Sequence, residues 1–139
     1  YQSEAASKRP PLIKALSVLH LFWDKQKSGG SLGEAQILKE ANRDTRGLDS
    51  ETWIRIRDIL LDQKILQINE KGHYLLARDL HDIHVWQIKE WVNKEISLED
   101  LNFDKKGEGW IDRALGMLAT QRQQQRDLLN LSLAELFEE

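Results

Sequence analysis

The sequence contains no cysteine and only two prolines among its 139 residues. Without cysteine the chain can form neither a disulfide framework nor a thiolate metal site, and its absence favours the cytosol over secretion. Long apolar runs are also missing. The longest, residues 16–23, is interrupted by His20 and falls well short of the roughly 20 residues that span a bilayer. The sequence as given therefore predicts no membrane-spanning helix.

The sequence also has no excess of positive charge. Its formal net charge is -3, with 40% hydrophobic and 31% charged residues, a composition that is ordinary for one globular domain with a single core. A negative net charge argues against a protein that mainly neutralises phosphate groups.

The first half of the chain predicts a helix-turn-helix pair. Residues 1–10 are polar and predict a linker, after which Pro11 can open a helix that ends near Gly29 and Gly30. Ser31 and Glu34 form a capping-box pattern for a second helix. A third helix is predicted at residues 50–63, and its apolar face is Trp53, Ile56, Ile59 and Leu60.

A change of hydrophobic period then predicts a β-hairpin, the wing, at residues 65–77. Two β-prone runs, 65–68 and 74–76, flank a polar turn that includes Gly72, where a positive φ is expected. A further helix that carries Ile88 and Val92 completes a domain at residues 11–92.

The rest of the chain predicts a loop and a helical extension. Residues 93–109 are polar and acidic and predict a loop with a single helical turn at 98–101, and residues 110–139 form the extension. In the extension, Ser132 and Glu135 form a second capping-box pattern, and the closing helices are expected to fold back on the domain. The predicted fold is mainly α with a small β-hairpin, a winged helix-turn-helix followed by a C-terminal helical extension.

Several sequence features resemble the cytosolic C-terminal region of YihY/BrkB-type inner-membrane proteins, a family formerly called ribonuclease BN. They are the helix opened by Pro11, the turn at 64–66 into the hairpin, the run 74–80 followed by Ile83, and the closing segment 131–137. The chain departs from the pattern at His84, where a threonine or serine cap is expected, and in the length of the loop 93–109.

The resemblance implies a bundle of transmembrane helices before Tyr1 and a place for this domain on the cytosolic face of the bacterial inner membrane. Lys8 and Arg9 would then follow the last span, as the positive-inside rule expects. On this basis the domain, soluble in isolation, is interpreted as a non-catalytic interaction or regulatory domain. Its expected partners are the rest of the membrane protein and other subunits or a second copy.

DNA binding is the alternative interpretation, because helix-turn-helix domains commonly place their second helix in the major groove. The candidate contacts are Arg55 and Arg57 on helix 50–63 and Lys71 on the wing. Residues 31–78, however, contain eight basic and eight acidic residues, whereas phosphate binding requires a basic excess. Nucleic acid is therefore the less favoured partner.

The sequence carries no signature of an enzyme, a cofactor or a small-molecule ligand. His81 and His84 are three residues apart, but their only nearby companions of ligand type are His73, Asp79 and Asp82, so no metal site is predicted. No phosphate-binding loop, nucleophile elbow or pair of catalytic carboxylates is recognisable.

The five tryptophans divide into two groups. Trp23 and Trp53 lie on apolar stripes and are predicted to be core residues. Trp86, Trp91 and Trp110 lie partly or wholly off such stripes, and tryptophan is enriched at interface hot spots. These three are the candidate protein interface.

Overall fold

The computed structural model describes residues 9–45, 48–101 and 109–138. Residues 1–8 of the predicted linker and 102–108 of the predicted loop lie outside the described residues. In chain order the elements are α1 (Pro11–Lys27), α2 (Glu34–Thr45), α3 (Ser50–Asp62), β1 (Leu66–Ile68), β2 (Tyr74–Leu76), a 3-10 turn (Leu80–Asp82), α4 (Val85–Val92), α5 (Leu98–Leu101), α6 (Gly109–Leu128) and α7 (Leu133–Phe137). The prediction of a mainly helical chain with one small antiparallel hairpin is confirmed. No helix in these ranges is long and apolar enough to cross a membrane.

Helix α1 forms one wall of the core. Pro11 occupies its first turn, where the missing proline N–H costs nothing, and the helix ends before Gly29, which adopts a φ of 72°. Its inward stripe includes Ala15, Leu19 and Phe22, all buried, as the three- and four-residue spacing predicts.

Helix α2 begins later than predicted, and the prediction of a capping box at Ser31 is wrong. Leu32 and Tyr74 exchange backbone hydrogen bonds of 2.9 and 2.8 Å, so this segment is extended against β2 and α2 starts only at Glu34. The Ser31 hydroxyl instead lies 3.3 Å from His73 Nδ1, and the Glu34 carboxylate accepts a 2.8 Å bond from the Trp53 indole N–H. A tertiary contact has therefore replaced a local cap.

Helix α3 and the hairpin follow the sequence prediction. The Asp49 carboxylate accepts a 2.7 Å bond from the Thr52 amide, which lowers the pKa of Asp49 and caps the helix. Trp53, Ile56 and Leu60 are buried. In the hairpin, β1 and β2 pair antiparallel with Leu66 opposite Leu76, Gln67 opposite Leu75 and Ile68 opposite Tyr74. Gly72 in the turn has a φ of 77°.

The C-terminal residues close the same core. Ile83 and Leu131 lie in two segments that pair through bonds of 2.9 Å from Val85 N to Leu131 O and 2.8 Å from Leu133 N to Ile83 O. The cap predicted at Ser132 is confirmed, because its hydroxyl accepts a 3.0 Å bond from the Glu135 amide. Helix α7 then buries Leu133, Ala134 and Phe137 in the core shared with α1.

Helix α6 behaves differently from α7. It is 20 residues long and contributes no buried residue, although its C-terminal half contacts α4 through Arg126 and Glu90, in line with the prediction that both closing helices fold back on the domain. Ile111, Leu115 and Ala119 follow at a spacing of four and are partly buried, whereas the large apolar side chains on the other side of the helix are exposed.

Candidate interaction surfaces

Arg57, a candidate DNA contact, is held by acidic neighbours. Its Nε and Nη2 donate to Asp58 Oδ1 at 3.0 and 2.9 Å, and its Nη1 lies 3.9 Å from Glu34 Oε1. The hydrogen bond to Asp58 raises the pKa of Arg57. Because its charge is compensated within the fold, Arg57 has little to offer a phosphate group.

The other two candidate DNA contacts, Arg55 and Lys71, are both exposed, and Arg55 has acidic neighbours. Arg55 lines a shallow depression on α3 together with Glu51, Ile54 and Asp58. Lys71 is exposed in the turn of the hairpin, where its backbone N–H donates to Asn69 Oδ1 at 2.9 Å. Ile54 is 42% exposed. The outer side of α3 is therefore a mixture of acidic, basic and apolar groups.

The three candidate interface tryptophans have different surroundings. The guanidinium carbon of Arg126 lies 4.2 Å from the centroid of the Trp86 ring, a cation–π distance, and Trp91 is half-buried against the core. Trp110, near the start of α6, is 62% exposed. Arg126 is 16 residues beyond Trp110 on the same helix, about 24 Å along its axis, so Trp86 and Trp110 belong to separate surfaces.

An ion-pair cluster fixes the C-terminal half of α6 to α4 and to the segment that follows it. Arg126 Nε donates to Glu90 Oε2 at 3.0 Å, and its Nη1 donates to Glu99 Oε1 at 3.1 Å. Glu90 is only 6% exposed, so the pair is largely desolvated. The hydrogen bond to Glu90, followed by that to Glu99, raises the pKa of Arg126. The same guanidinium lowers the pKa of Glu99.

Glu95 is the second centre of this cluster. Lys89 Nζ lies 2.8 Å from Glu95 Oε2, and Arg122 Nε lies 3.3 Å from Glu95 Oε1. Burial opposes ionisation of Glu95, but the hydrogen bonds from Lys89 and Gln125 outweigh it, and its pKa is lowered. This cluster was not predicted from the sequence. Its only local signal is Arg122 and Arg126 at a spacing of four on α6, since their partners lie far away in the chain.

The opposite side of α6 is an apolar line. Trp110, Met117 and Leu128 are separated by 7 and 11 residues, spacings that return a helix to the same face. They are 62%, 73% and 85% exposed. A shallow depression on the same side of the helix is lined by Arg113, Gly116, Met117, Thr120, Gln121 and Gln124. We call the side that carries Trp110, Met117 and Leu128 the outward face of α6.

The histidines that the sequence analysis considered as metal ligands have separate structural roles. His81 Nδ1 lies 2.7 Å from Asp79 Oδ1. The backbone N–H of His84 donates to Gln87 Oε1 at 2.8 Å at the start of α4. Within the described ranges no three histidine, aspartate or glutamate side chains are grouped so that they could hold a metal ion.

Comparison with known proteins shows that this chain is similar to membrane proteins. No family model matches it. It is 25% identical over 134 residues to a UPF0761 membrane protein of Teredinibacter turnerae, an alignment that covers 94% of this chain. The chain is similar to UPF0761 membrane proteins, the YihY/BrkB family.

A second UPF0761 membrane protein, from Acinetobacter baylyi, is 29% identical over 86 residues, which is 62% of this chain. A third, from Saccharophagus degradans, is 25% identical over 84 residues. The chain spans 30%, 20% and 18% of the lengths of the three relatives, so it corresponds to a minor part of each.

Proposed function

We propose that this chain is a non-catalytic interaction domain of a UPF0761 membrane protein, built as a winged helix and placed on the cytosolic face of the bacterial inner membrane. The similarity to UPF0761 membrane proteins supports the assignment of this chain to such a protein. The order of three helices and a hairpin, with Leu32 bridged to Tyr74, supports the proposal that the domain is a winged helix.

The main support for an interaction role is the outward face of α6. Exposed large apolar residues are normal singly, but a row of them on one helix marks a contact surface. Among the described residues, the α3 and hairpin surface shows no such row, and two of its three candidate cations, Arg55 and Arg57, have acidic neighbours. DNA contact by Arg55, Arg57 and Lys71 therefore gains no support from the geometry.

We propose a second copy of this chain as the occupant of the outward face. Trp110 and Leu128 lie nine residues on either side of position 119. If two α6 helices pack antiparallel around a two-fold axis near that position, Trp110 of one copy meets Leu128 of the other, and this apolar contact occurs twice in the dimer. A two-fold interface uses the same patch on both copies, which fits a line whose ends are apolar.

Charge complementarity supports the same arrangement. Arg113 and Asp127 lie seven residues on either side of Thr120, at the same edge of the outward face by helical geometry. A two-fold axis that runs between the two helices, perpendicular to the plane that contains both, brings this edge of one helix beside the same edge of the other with its direction reversed. Arg113 of each copy would then face Asp127 of the other, and the interface would contain two opposite-charge pairs.

A charge exchange within one chain tests this pairing. We expect Arg113→Asp and Asp127→Arg, each alone, to weaken dimerisation about tenfold, because each creates two like-charge contacts per dimer. The double variant should regain most of the wild-type affinity, since both pairs are restored with their signs reversed. Sedimentation equilibrium at low salt measures the dissociation constants.

The rescue separates a specific pairing from a general charge effect. Lys71→Asp, on the hairpin, serves as the control for a charge change elsewhere and should leave dimerisation unaltered. If the double variant dimerises no better than the single variants, or if the wild-type chain stays monomeric at high concentration, the proposed pairing is wrong.

A further inference from the structure

A pocket lies between the end of α1 and the segment that follows β2, away from the outward face of α6. Its volume is about 580 Å³, within the range of pockets that hold small ligands. Its lining residues are Trp23, Gln26, Lys27, Leu76, Ala77, Arg78, Asp79 and His81. Nothing in the proposed function uses this pocket.

The lining of the pocket combines apolar and cationic side chains. Trp23, Leu76 and Ala77 supply the apolar and aromatic part. Lys27 and Arg78 supply two positive charges. Against the one negative charge of Asp79 in the same lining, they leave an excess of a single positive charge, in a chain whose net charge is -3.

The single acid in the lining is already engaged within the chain. Asp79 Oδ1 accepts a 2.9 Å bond from the His81 backbone N–H and lies 2.7 Å from His81 Nδ1. The carboxylate keeps its charge, and His81 compensates that charge in part when its ring is protonated, because the hydrogen bond to Asp79 raises the pKa of His81.

Lys27 and Trp23 each have a polar group that a ligand in this pocket would meet. The Lys27 ammonium lies 5.5 Å from the centroid of the Trp23 ring, on a flexible stem that can turn toward an anion. The Trp23 indole N–H is shielded and has no acceptor among the described residues, although such a donor normally finds one. An oxygen acceptor brought into the pocket could satisfy it after a small rearrangement of the wall.

We propose that this pocket binds a small organic anion in which an apolar, preferably aromatic, body carries a carboxylate or phosphate group. The body would lie against Trp23 and Leu76, and the anionic oxygens would pair with Lys27 and Arg78. Arg78 also donates a 3.3 Å bond to the Gln63 carbonyl, which fixes the guanidinium in position and ties the pocket to the end of α3.

Nuclear magnetic resonance titration of the chain tests this site directly. The indole N–H resonance of Trp23, identified by its loss in Trp23→Phe, is followed during addition of phenyl phosphate or phenylacetate. We expect a saturable shift with at least one of the two, and the stronger one identifies the preferred anionic group. Lys27→Gln should weaken binding about fivefold or more, because one charge pair is lost.

The controls separate the organic anion from a bare ion. Inorganic phosphate and phenol, which each carry half of the proposed chemistry, should bind much more weakly than phenyl phosphate. Lys71→Gln removes an exposed lysine outside the pocket and should leave the affinity unaltered. The absence of a saturable Trp23 shift at millimolar concentrations of both probes, or an affinity for inorganic phosphate equal to that for phenyl phosphate, would overturn the proposal. The dimerisation experiments are unaffected by either result.

Discussion

Replacement of Phe137 by alanine is expected to lower the free energy of unfolding by about 3 kcal/mol. Phe137 is 9% exposed, and its ring lies 5.1 Å from that of His20 and 6.1 Å from that of Trp23, measured between centroids. The substitution leaves a cavity between α7 and α1 that the neighbouring side chains cannot fill. Urea unfolding, monitored by circular dichroism, measures the change.

The neighbouring residue supplies the control. Leu136 is 39% exposed on the same short helix, and Leu136→Ala should change the unfolding free energy by only about 0.5 kcal/mol. Equal effects of the two substitutions would show that α7 is not part of the core, and the described docking of the C-terminus would then be incorrect.

Arg126→Met is expected to destabilise the fold by about 3 kcal/mol, because it leaves the buried Glu90 carboxylate without its charged partner. Methionine preserves an apolar contact with the Trp86 ring, so the loss reports mainly the removed guanidinium. Local detachment of α6 would let water reach Glu90 and sets an upper limit to the cost. Urea unfolding at neutral pH measures it, together with the protection of α6 amides against hydrogen exchange.

Lys39→Met is the matched control for Arg126→Met. Lys39 is an exposed cation on α2, and its removal should leave both the unfolding free energy and the α6 protection near the wild-type values. An Arg126→Met variant as stable as Lys39→Met would refute the role assigned to the ion-pair cluster.

Regular elements were predictable from the sequence because their signals are local. The spacing of Trp53, Ile56 and Leu60 identifies the inward stripe of α3, and the cap of α7 at Ser132 depends on a residue only three positions away. The same type of pattern failed at Ser31, since the adjacent Leu32 pairs with Tyr74, which lies 42 residues after Leu32 in the chain. Local propensity is overridden where a distant strand offers stronger hydrogen bonds.

The candidate surfaces were less predictable because they depend on partners far apart in the chain. Arg126 and Glu90 are 36 residues apart, and no spacing rule connects them. Of the three tryptophans selected from the sequence, Trp86 and Trp91 are covered within the chain to differing extents, whereas Trp110 is the one on the outward face of α6. The anion pocket joins α1 to the segment after β2 and has no sequence signature.

The central claim, that two copies pair through the outward face of α6, is tested most directly by the dimer dissociation constant of Met117→Lys beside that of Ile54→Lys. Met117 is 73% exposed at the middle of that face, whereas Ile54 is an apolar residue that is 42% exposed on α3, outside the proposed interface. We predict at least a tenfold loss of dimer affinity for Met117→Lys, because a lysine there must lose water in an apolar interface, and little change for Ile54→Lys. Equal affinities for the two variants and the wild type would contradict the account.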